Sequence, residues 1–187
     1  RMYELSTVLN HVHDDWEKKA IEVREGIKRY MWNSRLGSFI KNIRVNESSS
    51  VLVDIDASSY AVADFGVLPD GDSRVRSTVQ KIEKELWNKD LGGLCRYPKY
   101  EGRNNGGWGP WPHITLFVAR HFIRIKERKE AEKYLGWVCD ISQNSLLPEH
   151  ISTIAEFEEY VSDFTDAGLL RKDRIIMIEN ARKNESF

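Results

Sequence analysis

The sequence predicts an all-α fold built from antiparallel helical hairpins, with one short β-hairpin as its extended part. Three observations carry that expectation. Apolar residues recur at spacings of three or four in several separate segments, the period of a helix that buries one face. Residues able to cap a helix stand at the head of most of these segments. Between them, residues 88–112 hold six glycines and three prolines, a composition that leaves no room for a regular element.

The elements follow in chain order. Arg1-Met2-Tyr3 lies within an apparent helix, so the natural N-terminus is expected further upstream. Asp14 with Glu17 forms a capping-box start for a helix whose stripe is Trp16, Ala20, Val23, Ile27 and Met31. The period breaks over residues 32–39, where Gly37 suits a tight turn, and a hairpin is expected near 36–54 with a polar tip at Asn46–Ser50. Asp54 or Asp56 caps a second helix that Gly66 closes. Asp72 or Ser73 caps a third, with Val75, Val79, Ile82 and Leu86 on its inner stripe. Pro112 is a suitable first residue for the next helix, whose core face is Ile114, Phe117, Val118, Phe122 and Ile125. Another helix starts near Lys129 with Ala131, Tyr134, Leu135 and Val138 facing in, and the loop Leu146–His150 follows it. Thr153 with Glu156 opens a further helix that ends near Gly168, and a last helix begins at Asp173. No fixed-period repeat and no domain boundary interrupt residues 1–187, which read as a single domain.

Composition narrows the function classes. Twenty-eight basic against 29 acidic residues leave a net charge of -1, so no basic field is available to hold nucleic acid or an anionic membrane. No apolar run reaches the roughly 18 residues that a membrane span requires. Cys95 and Cys139 have no metal-ligand spacing and read as reduced thiols. His11 and His13 would point to nearly opposite sides of a helix, and His113, His121 and His150 share no chelating spacing, so no metal is expected. Neither a phosphate-binding glycine loop nor a serine-nucleophile motif is present, and no cofactor is expected. The expected location is the cytoplasm.

Two places could carry chemistry. Glu149 follows Leu-Leu-Pro on an inter-helix loop, where a stiff residue and flanking apolar side chains would hold a carboxylate in place as a base. The plain reading is a surface acid near a helix start. Arg96, Trp108 and Trp111 lie in the glycine-rich loop, and aromatic faces beside a guanidinium suit a site for neutral polyols. The plain reading there is that the tryptophans plug the loop into the core. For Asp54 and Asp56, helix capping explains the carboxylates more simply than acid–base chemistry.

Four stretches resemble the glucoamylase family, glycoside hydrolase family fifteen, in its prokaryotic branch. They are Trp-Asn-Ser-Arg-Leu-Gly-Ser-Phe at 32–39, Asp-Ile-Asp-Ala-Ser at 54–58, Arg-Tyr at 96–97 with Gly-Gly-Trp-Gly-Pro-Trp-Pro at 106–112, and Leu-Leu-Pro-Glu-His at 146–150. The resemblance spans roughly residues 15–165 and implies about half the helices of an (α/α)6 toroid. It implies Glu149 as general base, Arg96 as a donor to hydroxyls of the cleaved sugar and Trp111 as an aromatic wall of the subsite, with Trp108 also expected to bind substrate. His150 replaces the family's usual Gln, and Asn104-Asn105 and Cys95 also depart from its pattern, which bears on substrate choice. The family's general acid lies in a segment that nothing before Trp16 matches.

The expected function is therefore part of an inverting α-glucoside hydrolase that releases glucose from maltooligosaccharides or acts on trehalose. The chain alone is expected to be inactive, because an inverting glycosidase requires two carboxyls. The alternative is a non-catalytic helical domain that binds carbohydrate or another protein. Cut faces of an incomplete toroid, including the Trp16–Met31 stripe, are expected to pair in a homodimer.

Overall fold

The computed structural model describes residues 2–10, 14–41, 55–98, 109–142 and 146–153. The expected helices after Thr153, the loop tip at 46–50 and Trp108 lie outside these residues. Within them the fold is mostly helical, with one small antiparallel sheet, as the periodicity predicts.

Helix α1 spans Met2–Val8, and α2 spans Asp14–Gly26, running on as a π-helical turn over Ile27–Met31. Strands β1 (Trp32–Asn33) and β2 (Ser38–Phe39) then pair antiparallel, Trp32 with Phe39 and Asn33 with Ser38. This hairpin turns at residues 34–37, and most of the expected 36–54 span lies outside the described residues. The turn is set locally: Asn33 accepts the Gly37 amide on its carbonyl at 2.9 Å and the Leu36 amide on its side chain at 3.0 Å.

A 3-10 turn over Ala57–Tyr60 leads into the short helix α3 (Ala61–Asp64). Schellman hydrogen bonds close α3 around Gly66, from the Gly66 amide to Ala63 at 3.0 Å and from the Val67 amide to Val62 at 2.9 Å. Helix α4 covers Ser73–Leu86, α5 Pro112–Arg124 and α6 Arg128–Asp140. Asp72 caps α4 as expected, accepting the Arg74 amide at 2.9 Å. Lys126 takes the left-handed position after α5, at φ 64°, in a second Schellman turn. The connector between α5 and α6 is too short for anything but an antiparallel hairpin, and these two helices pack along their lengths.

The core forms where α4 meets this hairpin. Val75, Val79, Ile82 and Leu86 are all buried on α4, opposite Ile114, Val118 and Phe122 of α5 and Tyr134 of α6. Each such side chain contributes about 1.5–3 kcal/mol of hydrophobic burial. Thr78 of α4 accepts the Phe39 amide at 3.1 Å, and the Ser77 hydroxyl donates to the Gly37 carbonyl at 2.5 Å, so the β-hairpin docks on α4 through hydroxyls.

Two expectations about faces are revised. Phe117, expected in the core, is 42% exposed, because it sits on the flank of α5 beside His113 and Arg120. On α2, Ile27 and Met31 pack against the core and Trp16 is half-buried, while Val23 between them is 61% exposed, so the middle of the stripe is uncovered among the described residues. Among the described residues no helix is long and apolar enough to cross a membrane.

The loop after α4 is held to α6 by one ring. Trp137 donates its indole N–H to the Leu91 carbonyl at 2.7 Å and lies flat against Gly92 and Gly93, both at φ 72°. A Cβ on Gly93 would meet the ring at 2.5 Å, in a backbone region that also disfavours any side chain. Gly93→Ala is therefore expected to destabilise the fold by about 1–3 kcal/mol. Urea titration followed by circular dichroism measures this, and an unchanged midpoint would show that the Trp137 contact is dispensable.

Candidate functional site

Three backbone segments that are distant in sequence lie side by side at one end of α5. The segment Leu94–Tyr97 leaves the loop after α4, the segment Gly109–Trp111 enters α5, and Glu149–Ile151 belongs to the loop after α6. The Trp111 amide donates to the Leu94 carbonyl at 2.8 Å, with Cys95 and Pro110 paired as an isolated antiparallel bridge. On the other side the Ile151 amide donates to the Pro110 carbonyl at 3.1 Å. Gly109 permits this approach, because a Cβ there would fall 1.8 Å from the Ile151 carbonyl oxygen.

No side chain caps α5 at Trp111. Instead Thr115, fully buried, donates its hydroxyl to the Trp111 carbonyl at 3.0 Å and accepts the Leu94 amide at 3.0 Å. One residue of the helix thus ties the Arg96 segment to the start of α5.

These ties bring together three of the four residues singled out from the sequence. Arg96 and Glu149 both act electrostatically on His113, with opposite signs, so all three share one rim. Trp111 stands in the same rim, its ring centroid 5.4 Å from that of His113 and 5.5 Å from that of His150. It is only 9% exposed, so it serves mainly to clasp the two histidines together and presents little surface to a ligand. Trp108 lies outside the described residues.

Glu149 itself is exposed. The flanking Leu146 and Leu147, expected as anchors, are 73% and 48% exposed, and the loop is held instead by the Ile151–Pro110 hydrogen bond. An exposed carboxylate on a pinned backbone is open to water while its position is set.

Two groups at this rim went unassigned on sequence grounds. The spacing of His113 bears only on metal binding and gives no sign that Arg96 and Glu149 both act on it. Asp56 does cap the 3-10 turn, accepting the Ser58 amide at 2.7 Å, and it also lies 1% exposed beside Arg96 and Lys41. The residue pattern Asp-Ala-Ser signals the cap; nothing local signals the burial. An apolar groove of about 200 Å3 lies nearby, lined by Ile27, Met31, Phe39 and Val62 among others, but none of Arg96, Trp111, His113 or Glu149 borders it.

No protein-family model matches the chain, and no curated protein matches it. Solved structures do. One is a wild-type glycosidase, 20% identical, with a TM-score of 0.60. Another is a variant glycosidase in complex with glucose, 20% identical, with a TM-score of 0.61. The fold is that of solved glycosidases. The alignments cover 78% of this chain and 37% of each of those chains, so the present chain spans well under half of their length.

The His113 ring reports the rim electrostatics directly. Burial lowers its pKa below the ordinary 6.5, the Arg96 guanidinium lowers it further, and the Glu149 carboxylate opposes both. The folded chain therefore binds this proton less readily than the unfolded chain. The stabilising contribution is present above about pH 6.5 and is lost as the pH falls through the lowered value. Arg96→Ala is expected to raise the His113 pKa, and Glu149→Gln to lower it. Titration of the His113 ring by nuclear magnetic resonance distinguishes the signs, and two unshifted curves would place Arg96 and Glu149 out of reach of the ring.

Proposed function

We propose that this chain is the base-carrying part of an inverting α-glucoside hydrolase of glucoamylase type, with Glu149 as general base. The observation that carries the reading is the rim itself. Backbone hydrogen bonds pin the Arg96, Trp111 and Glu149 segments together and set a water-accessible carboxylate and a guanidinium within electrostatic reach of one imidazole. The glycosidase fold, and the glucose bound by one structural neighbour, support a sugar as the ligand.

In this mechanism Glu149 takes a proton from a water molecule. The water oxygen attacks the anomeric carbon on the face opposite the leaving group, and the configuration inverts. A second carboxyl about 6.5–9.5 Å away protonates the departing oxygen. The reading assigns that general acid to the upstream part of the whole enzyme, as the glucoamylase resemblance implies. Arg96 carries fixed donors for the hydroxyls of the glucosyl unit, and the uncharged His113 can donate to or accept from a hydroxyl without adding a second positive charge. Trp111 backs the site by holding His113 and His150. The expected substrates are maltooligosaccharides, with trehalose as the second candidate.

In the full-length protein, Glu149→Gln is expected to lower kcat on maltotriose by about 10²–10⁴-fold with little change in KM. The wild type should release β-glucose first, visible in the anomeric proton signals before mutarotation. Release of α-glucose would rule out inversion. An undiminished kcat in the Gln variant would remove Glu149 from the reaction. Saturable binding of maltose by a full-length protein that hydrolyses no α-glucoside would favour a non-catalytic carbohydrate-binding module.

A further inference from the structure

Asp56 is buried far beyond what capping a turn requires. Asp72 does the same capping work at the head of α4, yet its side chain stays 19% exposed and pairs with its neighbour Arg74. Asp56 is 1% exposed, with Oδ1 accepting the Ser58 amide and Oδ2 taking no hydrogen bond among the described residues. A carboxylate withdrawn from water is retained only where opposite charge accompanies it. Two cations do: the Lys41 ammonium, 4.0 Å from Oδ2, and the Arg96 Nε, 3.9 Å from Oδ1.

The backbone holds the pair in register. The Ala57 amide donates to the Arg96 carbonyl at 3.0 Å, so the residue after Asp56 is hydrogen-bonded to Arg96 itself. The aromatic ring of Tyr97, 4% exposed, completes the pocket, with Lys41 4.2 Å and Arg96 4.9 Å from its centroid. The Arg96 side chain keeps 38% of its surface open, while its Nε is fully buried and makes no hydrogen bond. With Nε buried beside Asp56, the exposed surface of the side chain lies elsewhere along it, and its charge also reaches His113.

We propose that Asp56 is the positioning residue of this site: its buried carboxylate holds the inner edge of the Arg96 guanidinium so that the terminal nitrogens face the rim. This rests on the reading of Arg96 as a donor to sugar hydroxyls. An arginine on an unanchored loop would lose side-chain entropy when it met a ligand, and a guanidinium held beside a buried carboxylate, with its backbone and ring contacts already made, loses less. Lys41 balances the charge that Asp56 brings into the interior.

The test separates the tether from the cap. Asn caps a turn as well as Asp, so Asp56→Asn keeps the fold while removing the charge. Two readouts apply to the full-length protein. In nitrogen-15 spectra the Arg96 Nε–H signal should exchange slowly with water in the wild type and at least about tenfold faster in Asp56→Asn, with the melting midpoint retained. KM for maltotriose should rise about 10–100-fold in Asp56→Asn, and Asp56→Asn should add nothing further in an Arg96→Ala background. Arg96→Lys gives an independent check. A lysine there can still neutralise Asp56 but lacks the terminal fork, so it should keep the melting midpoint and lose sugar affinity to the same degree. An unchanged Nε–H signal in Asp56→Asn would overturn the positioning role. So would additive KM effects of the two substitutions. If Arg96→Ala has no effect on any α-glucoside, the sugar reading falls instead, and the exchange rate of Nε–H still decides the Asp56 pairing on its own.

Discussion

A single buried hydroxyl governs the geometry of the rim. Thr115 sits on the first turn of α5, where the helix has no side-chain cap, and bonds at once to the Trp111 carbonyl and the Leu94 amide. Through the first bond it closes the helix start, and through the second it fixes the segment that carries Arg96. The Trp111 amide returns the connection to Leu94, so the two strands of loop cannot slide independently. Because these groups are out of water, loss of the Thr115 hydroxyl would strand the Leu94 amide in the interior, a loss of about 1–3 kcal/mol, while the Trp111 carbonyl keeps the Thr115 amide. The Glu149 loop then docks on Pro110, and its position depends on all that lies beneath it.

A second set of polar contacts braces α5 from the opposite side. Asp70 accepts from the Tyr60 hydroxyl and lies 3.2 Å from Nδ1 of the buried His121, while Arg124 and Arg120 pair with Asp64. Burial, followed by the neighbouring Asp70 charge, pushes the Tyr60 pKa up to about 12, so the phenol stays a proton donor. At the other end of the core, Tyr134 donates to Glu83, and burial raises its pKa as well. Tyr134 thus ties α6 to α4, while His121, Arg120 and Arg124 tie α5 to the 57–70 segment and limit how far it can shift there. Rigid support of this kind is what lets a loop-built site hold a carboxylate and a guanidinium in fixed relation.

The distribution of exposed apolar surface follows from the same architecture. Between α4, α5 and α6 the apolar faces are buried, whereas Leu5, Val8, Ile21 and Val23 on α1 and α2 are at least half exposed. The α2 stripe is recognisable in the sequence because its spacing is that of a buried face. Burial, however, depends on a second surface, and the core supplies one to Ile27 and Met31 but not to Val23.

Much of the fold was legible in the chain itself because it rests on short-range rules. The α4 stripe from Val75 to Leu86, the Asp72 cap, Pro112 at the start of α5 and Gly66 after α3 depend on neighbours within a few residues, and periodicity and capping chemistry report such neighbours. Loop residues 88–112 stood out by composition, and Arg96 and Glu149 stood out through stiff or glycine-rich surroundings and the glucoamylase resemblance. What the sequence could not determine was which of these residues meet. The approach of Gly109 to Ile151, the charges of Arg96 and Glu149 on His113, and the burial of Asp56 beside Lys41 and Arg96 all join residues far apart along the chain. Asp56 shows the division most clearly. Its cap is a contact between positions 56 and 58, written in the local pattern, whereas its pairing with Arg96 exists only because tertiary packing excludes water from both.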